Sequence, residues 1–243
     1  MKIIKLSAID STNRFLKQLA QETTLENYTI VVAERQTEGK GQRGASWISE
    51  SDKGLAFSCL YYPPKGVLAD VFVLNCIAAL SVVTALQTVS SIDFQIKWPN
   101  DILAEQKKIC GILIENSIRS TTEIQSIIGI GINVNQTQFD QLPQATSLAI
   151  LERKPFDKEL LLLQIAKELV HNLEKLQQVC IDYFWDRYHE KLFKRGMVST
   201  FEDVQGNRFV GKIVSVTKEG KLQVILDQEL QAFFDIKELK MLY

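Results

Sequence analysis

Residues 28–44 read YTIVVAERQTEGKGQRG, and this stretch decides between several folds. Its first half, residues 28–34, is an apolar run rich in β-branched residues and predicts a strand buried on both faces. Its second half places Gly39, Gly41 and Gly44 within six residues and matches the pattern G-x-G-x-x-G. In a dinucleotide-binding fold, a helix follows such glycines directly and an acidic residue stands about 20 positions later.

The residues after the glycines argue against the two common nucleotide-binding loops. Residues 45–52 carry no apolar helical stripe, and the region around Pro63 and Pro64 has no acid. The segment nearly matches a P-loop, but Ala45 stands where that motif has the lysine that reaches the phosphates. We therefore interpret residues 39–44 as a loop whose amides and two cations, Lys40 and Arg43, close over an anionic ligand. The alternative is a solvated surface turn.

The composition is that of an ordinary globular protein. The 243 residues include 28 Lys and Arg, 29 Asp and Glu, and 46% hydrophobic residues, for a formal charge of −1. That charge gives no bulk attraction to nucleic acid or to an anionic membrane. Residues 67–89 are apolar enough to suggest a membrane span, but their polar side chains are costly in lipid and favour a buried helix.

The cysteines and the N-terminus bear on the compartment. There are two histidines and no metal-ligand spacing, so we expect every cysteine to be a small buried side chain in a reducing environment. The N-terminus has no apolar core typical of a signal peptide. These features predict a cytoplasmic protein. The four cysteines are Cys59, Cys76, Cys110 and Cys180.

Periodicity along the chain predicts an α+β fold. Helices are expected after the capping residues 10–13, over residues 74–86, after Asp157 and over residues 181–193. Further strands are expected at residues 55–61, 94–98, 109–115 and 124–134, with a turn at residues 99–101. After Gly196 only short alternating strands are indicated. We therefore divide the chain into a larger α+β domain, residues 1–196, and a small β-barrel-like domain, residues 197–243.

Five blocks, taken together and in order, resemble the biotin protein ligases. They are DSTN at 10–13, Gln36 with GKGQRG at 39–44 and Trp47, KWPND at 97–101, KICGILIE at 108–115 and GIGINVN at 129–135. The resemblance implies a class II synthetase-like domain, a mixed sheet flanked by helices, and a C-terminal SH3-like β-barrel. Because the Ser-Thr-Asn block begins at residue 11, it also implies the monofunctional type, without a preceding DNA-binding domain.

The activity implied by the resemblance has two steps. Biotin and Mg-ATP give biotinyl-5′-AMP and pyrophosphate, and a lysine of a biotin carboxyl carrier domain then attacks the mixed anhydride. The expected partners are therefore biotin, ATP and that carrier domain, with no nucleic acid and no membrane. ATP and Mg²⁺ act as co-substrate and ion, and no tightly bound prosthetic group is expected. The sequence leaves open whether the enzyme is a monomer or a homodimer.

The resemblance also implies a role for individual residues. Lys108 and Arg43 are the candidate catalytic cations, Lys108 at the biotin carboxylate and α-phosphate and Arg43 over the adenylate. The candidate biotin-binding residues are Ser11, Thr12, Asn13, Gln36, Gly39, Lys40, Gly41, Gln42, Lys108, Gly111, Gly129 and Gly131. The candidate ATP-binding residues are Lys40, Arg43, Trp47, Asn100, Lys108 and Asn133, and the candidates for Mg²⁺ are Asn133 and Asp101.

Simpler alternatives accompany several of these roles. The hydroxyl and amide groups of residues 11–13 can serve as plain helix caps, and the strand glycines can mark bulges or tight packing. Gln42 stands where many members have Arg, so the loop has one cation fewer to hold the adenylate. No histidine lies in the blocks, and the general base is unassigned.

Two other functions compete with biotin ligation. A lipoate or octanoate protein ligase has a related fold, but its Arg-Arg-x-Ser-Gly-Gly-Gly motif does not occur in this chain. A non-catalytic biotin-binding regulator would not need the two cations, Lys108 and Arg43, that the chain retains.

Overall fold

The computed structural model of the chain describes residues 1–48, 50–64, 72–120, 123–140 and 142–243. Some residues in these ranges are described by their backbone alone, namely Arg43, Arg119, Ser120, Glu123 and Gln228.

The larger part of the fold is built on one seven-stranded sheet. In chain order its strands are β1 (Ile3–Ile9), β2 (Ile30–Gln36), β3 (Gly54–Tyr61), β4 (Phe94–Lys97), β5 (Asp101–Ala104), β6 (Lys107–Ser120) and β7 (Glu123–Asn133). Across the sheet they follow the order β1-β2-β3-β7-β6-β5-β4. β1 and β2 run parallel and the other neighbouring pairs run antiparallel, so the sheet is mixed, as predicted.

Helices cover both faces of this sheet. In chain order they are α1 (Thr12–Glu22), α2 (Phe72–Gln87), α3 (Leu148–Glu152), α4 (Lys158–Lys175) and α5 (Asp182–Glu190). Successive residues of a strand point to opposite faces, so Val31 packs in the small core under α1 while its neighbour Ile30 joins the large core under α2 and α4.

Helix α2 is buried on almost every side, because α4 and α5 pack on it from one side and strands of the sheet from the other. The prediction of a buried helix is therefore confirmed for Phe72–Gln87, while residues 67–71 lie outside the described residues. No helix within the described residues is long and apolar enough to span a membrane. Asp157 caps α4 as predicted, since its carboxylate accepts hydrogen bonds from the backbone N–H groups of Glu159 and Leu160.

The C-terminal region forms a second sheet of five antiparallel strands. They are β8 (Val198–Asp203), β9 (Arg208–Val216), β10 (Leu222–Ile225), β11 (Gln231–Phe234) and β12 (Leu239–Leu242), in the order β11-β10-β9-β8-β12. The predicted fold class, an α+β domain followed by a small β unit, is confirmed. The boundary at residue 196 stays a prediction.

Among the hydrogen bonds that tie the second sheet to the first part of the fold, two involve the side chains of Trp98 and His189. The indole Nε1 of Trp98 donates to the carbonyl of Gly220 at 2.8 Å. The backbone N–H of Val216 donates to Nε2 of the buried His189 at 2.8 Å. The cores of the two sheets are continuous, so the second sheet has a defined position beside the first.

Several elements differ from their prediction. Strands β1 and β5 and helix α3 were not predicted, and Asp101 begins β5 rather than completing a turn. The last predicted helix ends early, at Glu190, because the chain then pairs with β4. The N–H of Ile96 donates to the carbonyl of Lys191, and the N–H of Phe193 donates to the carbonyl of Ile96.

The expectation of four buried cysteines was wrong for one of them. Cys59, Cys76 and Cys110 are buried, but Cys180 is exposed. Cys180 lies in the connection between α4 and α5, where its thiol is 3.2 Å from the carboxylate of Asp182 at the first residue of α5. The apolar residues next to Cys180 in the sequence were therefore not sufficient evidence that Cys180 is buried.

Candidate active site

A cavity of about 540 Å³ opens between the two sheets and collects most of the predicted site residues. Those that line it are Ser11, Thr12, Asn13, Gln36, Lys40, Gly41, Gln42, Trp47, Asn100, Asp101, Lys108, Gly111, Gly129 and Gly131. Gly39 and Asn133 are not among the lining residues, and the side chain of Arg43 lies outside the described part of the chain. The five sequence blocks thus meet in one place, although they are up to about 120 residues apart.

The first turn of α1 and the end of β2 form the uncharged end of the cavity. Ser11 occupies the N-cap position, but its side chain makes no capping hydrogen bond, so plain capping does not account for it. The backbone N–H and the hydroxyl of Thr12 both lie close to Gln36 Oε1, at 2.8 and 3.0 Å. Because its oxygen is engaged in this way, Gln36 has its Nε2 donors left for other partners.

The glycine loop is a small closed hairpin. A backbone bridge joins Lys40 to Ser46, and the N–H of Trp47 donates to the carbonyl of Gly39 at 2.9 Å. A Cβ atom on Gly39 would lie 2.4 Å from the Trp47 carbonyl oxygen, so only glycine allows this approach, and Gly44 has a φ of +81°. A single 3₁₀ turn (Gln42–Gly44) stands where a dinucleotide-binding fold would begin its helix, which excludes that interpretation.

Side chains of the protein itself pack against the glycines of β6 and β7. A Cβ atom on Gly131 would lie 2.5 Å from Trp47 Cε2, and one on Gly111 would lie 3.0 Å from the same indole. The half-buried Trp47 ring thus packs against both glycines, and its buried Nε1 has no hydrogen-bond partner among the described residues. A Cβ atom on Gly129 would lie 2.3 Å from Asn13 Oδ1.

Lys108 lies at the charged end of the cavity, in an ion pair. Its Nζ is 2.6 Å from Asp101 Oδ1 and 5.6 Å from the centre of the Trp47 ring. A second lysine, Lys97, approaches the other carboxylate oxygen at 3.8 Å. Burial lowers the pKa of Lys97, an effect that Asp101 opposes and the Lys108 charge reinforces. The neighbouring Lys107 is exposed.

A β-bulge places Lys108 in the cavity. Asp101 pairs with Gly111 and Ile102 with Cys110, but Leu103 pairs with Lys108, so Ile109 is an extra residue in β6. In a regular strand, residues three apart point to opposite faces. With the bulge, Lys108 comes onto the same face as Gly111, whose Cβ position is 3.3 Å from Lys108 Nζ.

The second sheet completes the cavity with charged residues that the sequence analysis did not identify. Glu202 and Asp203 come from β8, Lys240 from β12 and Lys237 from the connection before it. Together with Lys40, Lys97, Lys108 and Asp101, the described lining residues include five lysines and three carboxylates. The cavity is therefore locally positive in a chain of net charge −1, which suits an anionic ligand.

The other nucleotide and metal candidates are engaged within the protein. The side-chain amide of Asn100 donates to the carbonyl of Ile112, and the buried Asn133 accepts from Gln136. The described residues contain no group of three or more His, Cys, Asp and Glu side chains that could hold a metal ion. Since Asp101 is paired with two lysines and Asn133 lies outside the cavity lining, these two residues do not fit a dedicated Mg²⁺ site.

Comparison with known sequences gives one family. A sequence model of the biotin/lipoate A/B protein ligase family matches residues 6–133. The bifunctional ligase/repressor BirA of Bacillus spizizenii is 37% identical over 161 residues, 64% of this chain and 49% of that protein. The biotin–protein ligase of Homo sapiens is 26% identical over 234 residues, 92% of this chain and 32% of that protein. The chain spans about half the length of the bacterial BirA relatives that it matches.

Comparison with solved structures covers nearly the whole chain. The biotin protein ligase from Aquifex aeolicus in complex with biotin and ATP has a TM-score of 0.80 at 29% identity, over 99% of this chain and 98% of that chain. The biotin protein ligase from Leishmania major in complex with biotinyl-5-AMP, 21% identical with a TM-score of 0.67, has the same fold.

Proposed function

The chain belongs to the biotin/lipoate A/B protein ligase family, and from this membership we propose that it is an ATP-dependent ligase that activates biotin as biotinyl-5′-AMP and transfers it to a lysine of a biotin carboxyl carrier domain. The observation that carries the proposal is the meeting of five separate sequence blocks in one cavity. Uncharged polar side chains line one end and lysines the other, as a neutral polar ring joined to a carboxylate requires.

The spacing of the two ends agrees with such a ligand. Asn13 lies over Gly129 and Trp47 lies over Gly131, two residues further along β7. Two strand residues span about 7 Å, which a short aliphatic chain between a ring and a carboxylate can cover. In this arrangement Ser11 and Gln36 face the ureido ring, and Lys108 faces the carboxylate.

In the first step a carboxylate oxygen of biotin attacks the α-phosphorus of ATP, and the bond to the pyrophosphate oxygen breaks. Negative charge develops on the α-phosphoryl oxygens, and Lys108 stabilises it by exchanging its ion pair with Asp101 for the ligand. Lys97 and Lys40 add positive charge around the same space. Trp47 offers an aromatic face to the adenine, and the loop that carries it shields the adenylate from water.

In the second step the amine of the acceptor lysine attacks the acyl carbon of the mixed anhydride, and AMP leaves. The amine loses a proton in this step, and we assign no residue of this chain to accept it. The acceptor reaches the adenylate through the opening of the cavity, whose lining includes residues of the second sheet.

The ion, the partner and the compartment are further parts of the proposal. We propose that Mg²⁺ enters with the ATP phosphates and their waters, as is common for this ion, rather than in a cage of protein ligands. The acceptor is the carrier domain of a biotin-dependent carboxylase. Free buried thiols are in keeping with a reducing, cytoplasmic setting.

Pyrophosphate exchange into ATP tests the first step and separates the candidate substrates. Exchange is expected with biotin and not with lipoate or octanoate, and exchange with lipoate or octanoate alone would refute the biotin assignment. The second step is tested by incubating biotin, ATP and a biotin carboxyl carrier domain with the protein and detecting the product with streptavidin. Biotin binding without exchange would favour the regulatory alternative.

A further inference from the structure

A chain of buried and partly buried polar side chains lies behind the uncharged end of the cavity. Asn13 is 4% exposed, and its amide is almost fully used by the protein. Its Nδ2 donates to Glu115 Oε2 at 2.8 Å and to the Leu113 carbonyl at 3.3 Å, and its Oδ1 accepts from the Ser58 hydroxyl at 2.6 Å. Three of the four hydrogen-bonding positions of this amide are therefore occupied, so Asn13 has little left with which to bind a ligand.

Glu115 sets the direction of this chain. An ionised carboxylate only accepts hydrogen bonds, so the Nδ2 end of Asn13 must face Glu115 and the Oδ1 end must face Ser58. The Ser58 hydroxyl is also 2.8 Å from the Thr12 hydroxyl, and Thr12 in turn contacts Gln36. Ser58 is fully buried in β3, and Glu115 is not among the residues that line the cavity.

The contacts of Asn13 join three elements. Asn13 belongs to the first turn of α1, Ser58 to β3 and Glu115 to β6. The space that Asn13 occupies exists because residue 129 is glycine, where a Cβ atom would lie 2.3 Å from Asn13 Oδ1. The hydrogen bond between the Asn13 amide and the Glu115 carboxylate is thus one of the contacts that hold the first turn of α1, next to Ser11, against the sheet.

We propose that Glu115 is a positioning residue for the biotin pocket, acting through Asn13 on the placement of Ser11 and Gln36. The proposal deepens the proposed function and rests on it. It gives the last residue of the KICGILIE block a role that requires no contact with the ligand. It also makes Asn13 the link between Glu115 and the pocket.

The test measures pyrophosphate exchange at varied biotin and at varied ATP. Glu115→Ala loses a partly buried hydrogen bond to a carboxylate, and it is expected to raise the biotin KM about tenfold and to leave the ATP KM unchanged. Glu115→Gln keeps an acceptor oxygen for Asn13 and is expected to stay within about threefold of the wild-type biotin KM. Glu26→Ala removes an exposed glutamate as a matched control and is expected to change neither value.

A double-mutant cycle tests the route through Asn13. If Glu115 acts through that amide, Asn13→Ala combined with Glu115→Ala raises the biotin KM no further than Asn13→Ala alone. Independent, multiplying effects of the two changes would overturn the proposal. So would an equal rise of both KM values, or an unchanged biotin KM in Glu115→Ala.

A second pair of variants serves if Glu115→Ala does not fold. Asn13→Asp sets two carboxylates against each other and is expected to raise the biotin KM, and adding Glu115→Gln is expected to restore it. Failure of that restoration overturns the proposal. Pyrophosphate exchange by the wild-type protein with biotin separates failure of the proposed function from failure of the role of Glu115. If the wild type shows no exchange, the proposed function fails as well. If the wild type shows exchange and the variants do not behave as expected, only the role of Glu115 is refuted.

Discussion

Replacing Lys108 by Ala, with Lys107→Ala as its control, tests the charged end of the cavity most directly. Alternation counted from Gly111 without the bulge would direct Lys107 to the cavity face. The bulge at Ile109 reverses this assignment: Lys108 is in the cavity, 2.6 Å from Asp101, and Lys107 is exposed. The two adjacent lysines therefore differ in position but hardly in sequence context.

The expected loss of activity is much larger than the expected loss of stability. Removing one preorganised group that stabilises transition-state charge costs about 10²–10³ in rate, or about 2.7–4 kcal/mol. The Lys108–Asp101 pair has side chains 36% and 17% exposed, and ion pairs with solvent access contribute up to about 1 kcal/mol to folding. Lys108→Ala should therefore remain folded while its exchange rate falls about 10²–10³-fold.

Initial rates of biotin-dependent pyrophosphate exchange and thermal melting, measured on both variants, supply the numbers. Lys107→Ala is expected to match the wild type in both measurements. Equal rate losses in the two variants, or a larger loss in Lys107→Ala, would refute the assignment made from the bulge. A rate loss in Lys108→Ala that tracked a comparable loss of unfolding free energy would refute a role in catalysis.

Two further predictions concern the Trp47 contact and pH. Gly131→Ala would put a methyl group 2.5 Å from Trp47 Cε2, so we expect a shifted tryptophan fluorescence and a raised ATP KM. Gly111→Ala would put its methyl group 3.0 Å from the same indole and should give smaller changes. Larger changes in Gly111→Ala than in Gly131→Ala would contradict this contact. Burial lowers the pKa of His189 below its ordinary 6.5, so the unfolded chain binds the proton more readily. Stability should be full above about pH 6.5 and decrease as the pH falls below it, because a proton on Nε2 removes the acceptor of the Val216 N–H. Melting temperatures measured at about pH 5–8 check this prediction. His189→Gln should flatten the pH dependence of the melting temperature, whereas His171→Gln, at an exposed position, should leave it unchanged. A wild-type melting temperature that does not change with pH would contradict the prediction.

The elements predicted from sequence are those whose burial dominates their residue pattern. Helix α2 and strand β3 are buried almost throughout, so their apolar runs were sufficient evidence. Strand β1 lies at the edge of the sheet with a mixed burial pattern, and its residues resemble an ordinary chain terminus. Strand β5 begins at Asp101, a residue typical of turns, and is a strand because β4 and β6 pair with it on both sides. Pairing of this kind is a tertiary effect that local sequence does not contain.

For the candidate site, sequence motifs identified which residues take part but not how these residues are arranged. Lys237 and Lys240 belong to no motif, and they reach the cavity because Trp98 and His189 hold the second sheet beside it. Ser58 lies in an apolar strand and had no signal beyond being polar in such a run. A resemblance transfers a residue's presence in the site, whereas hydrogen-bond accounting is needed to tell whether its polar groups remain available to a ligand.

The glycines of β7 show the same distinction. From sequence, Gly129 and Gly131 were candidate biotin-binding residues. In the structure, the space over Gly129 is taken by Asn13 and that over Gly131 by Trp47, both themselves candidate site residues. A glycine in a central strand loses side-chain packing and adds backbone entropy to the unfolded state, so its presence needs a local reason. Here the reason is that each glycine leaves space for a site residue to pack directly on the strand. The glycines therefore shape the pocket indirectly, through the side chains of Asn13 and Trp47 that pack on them.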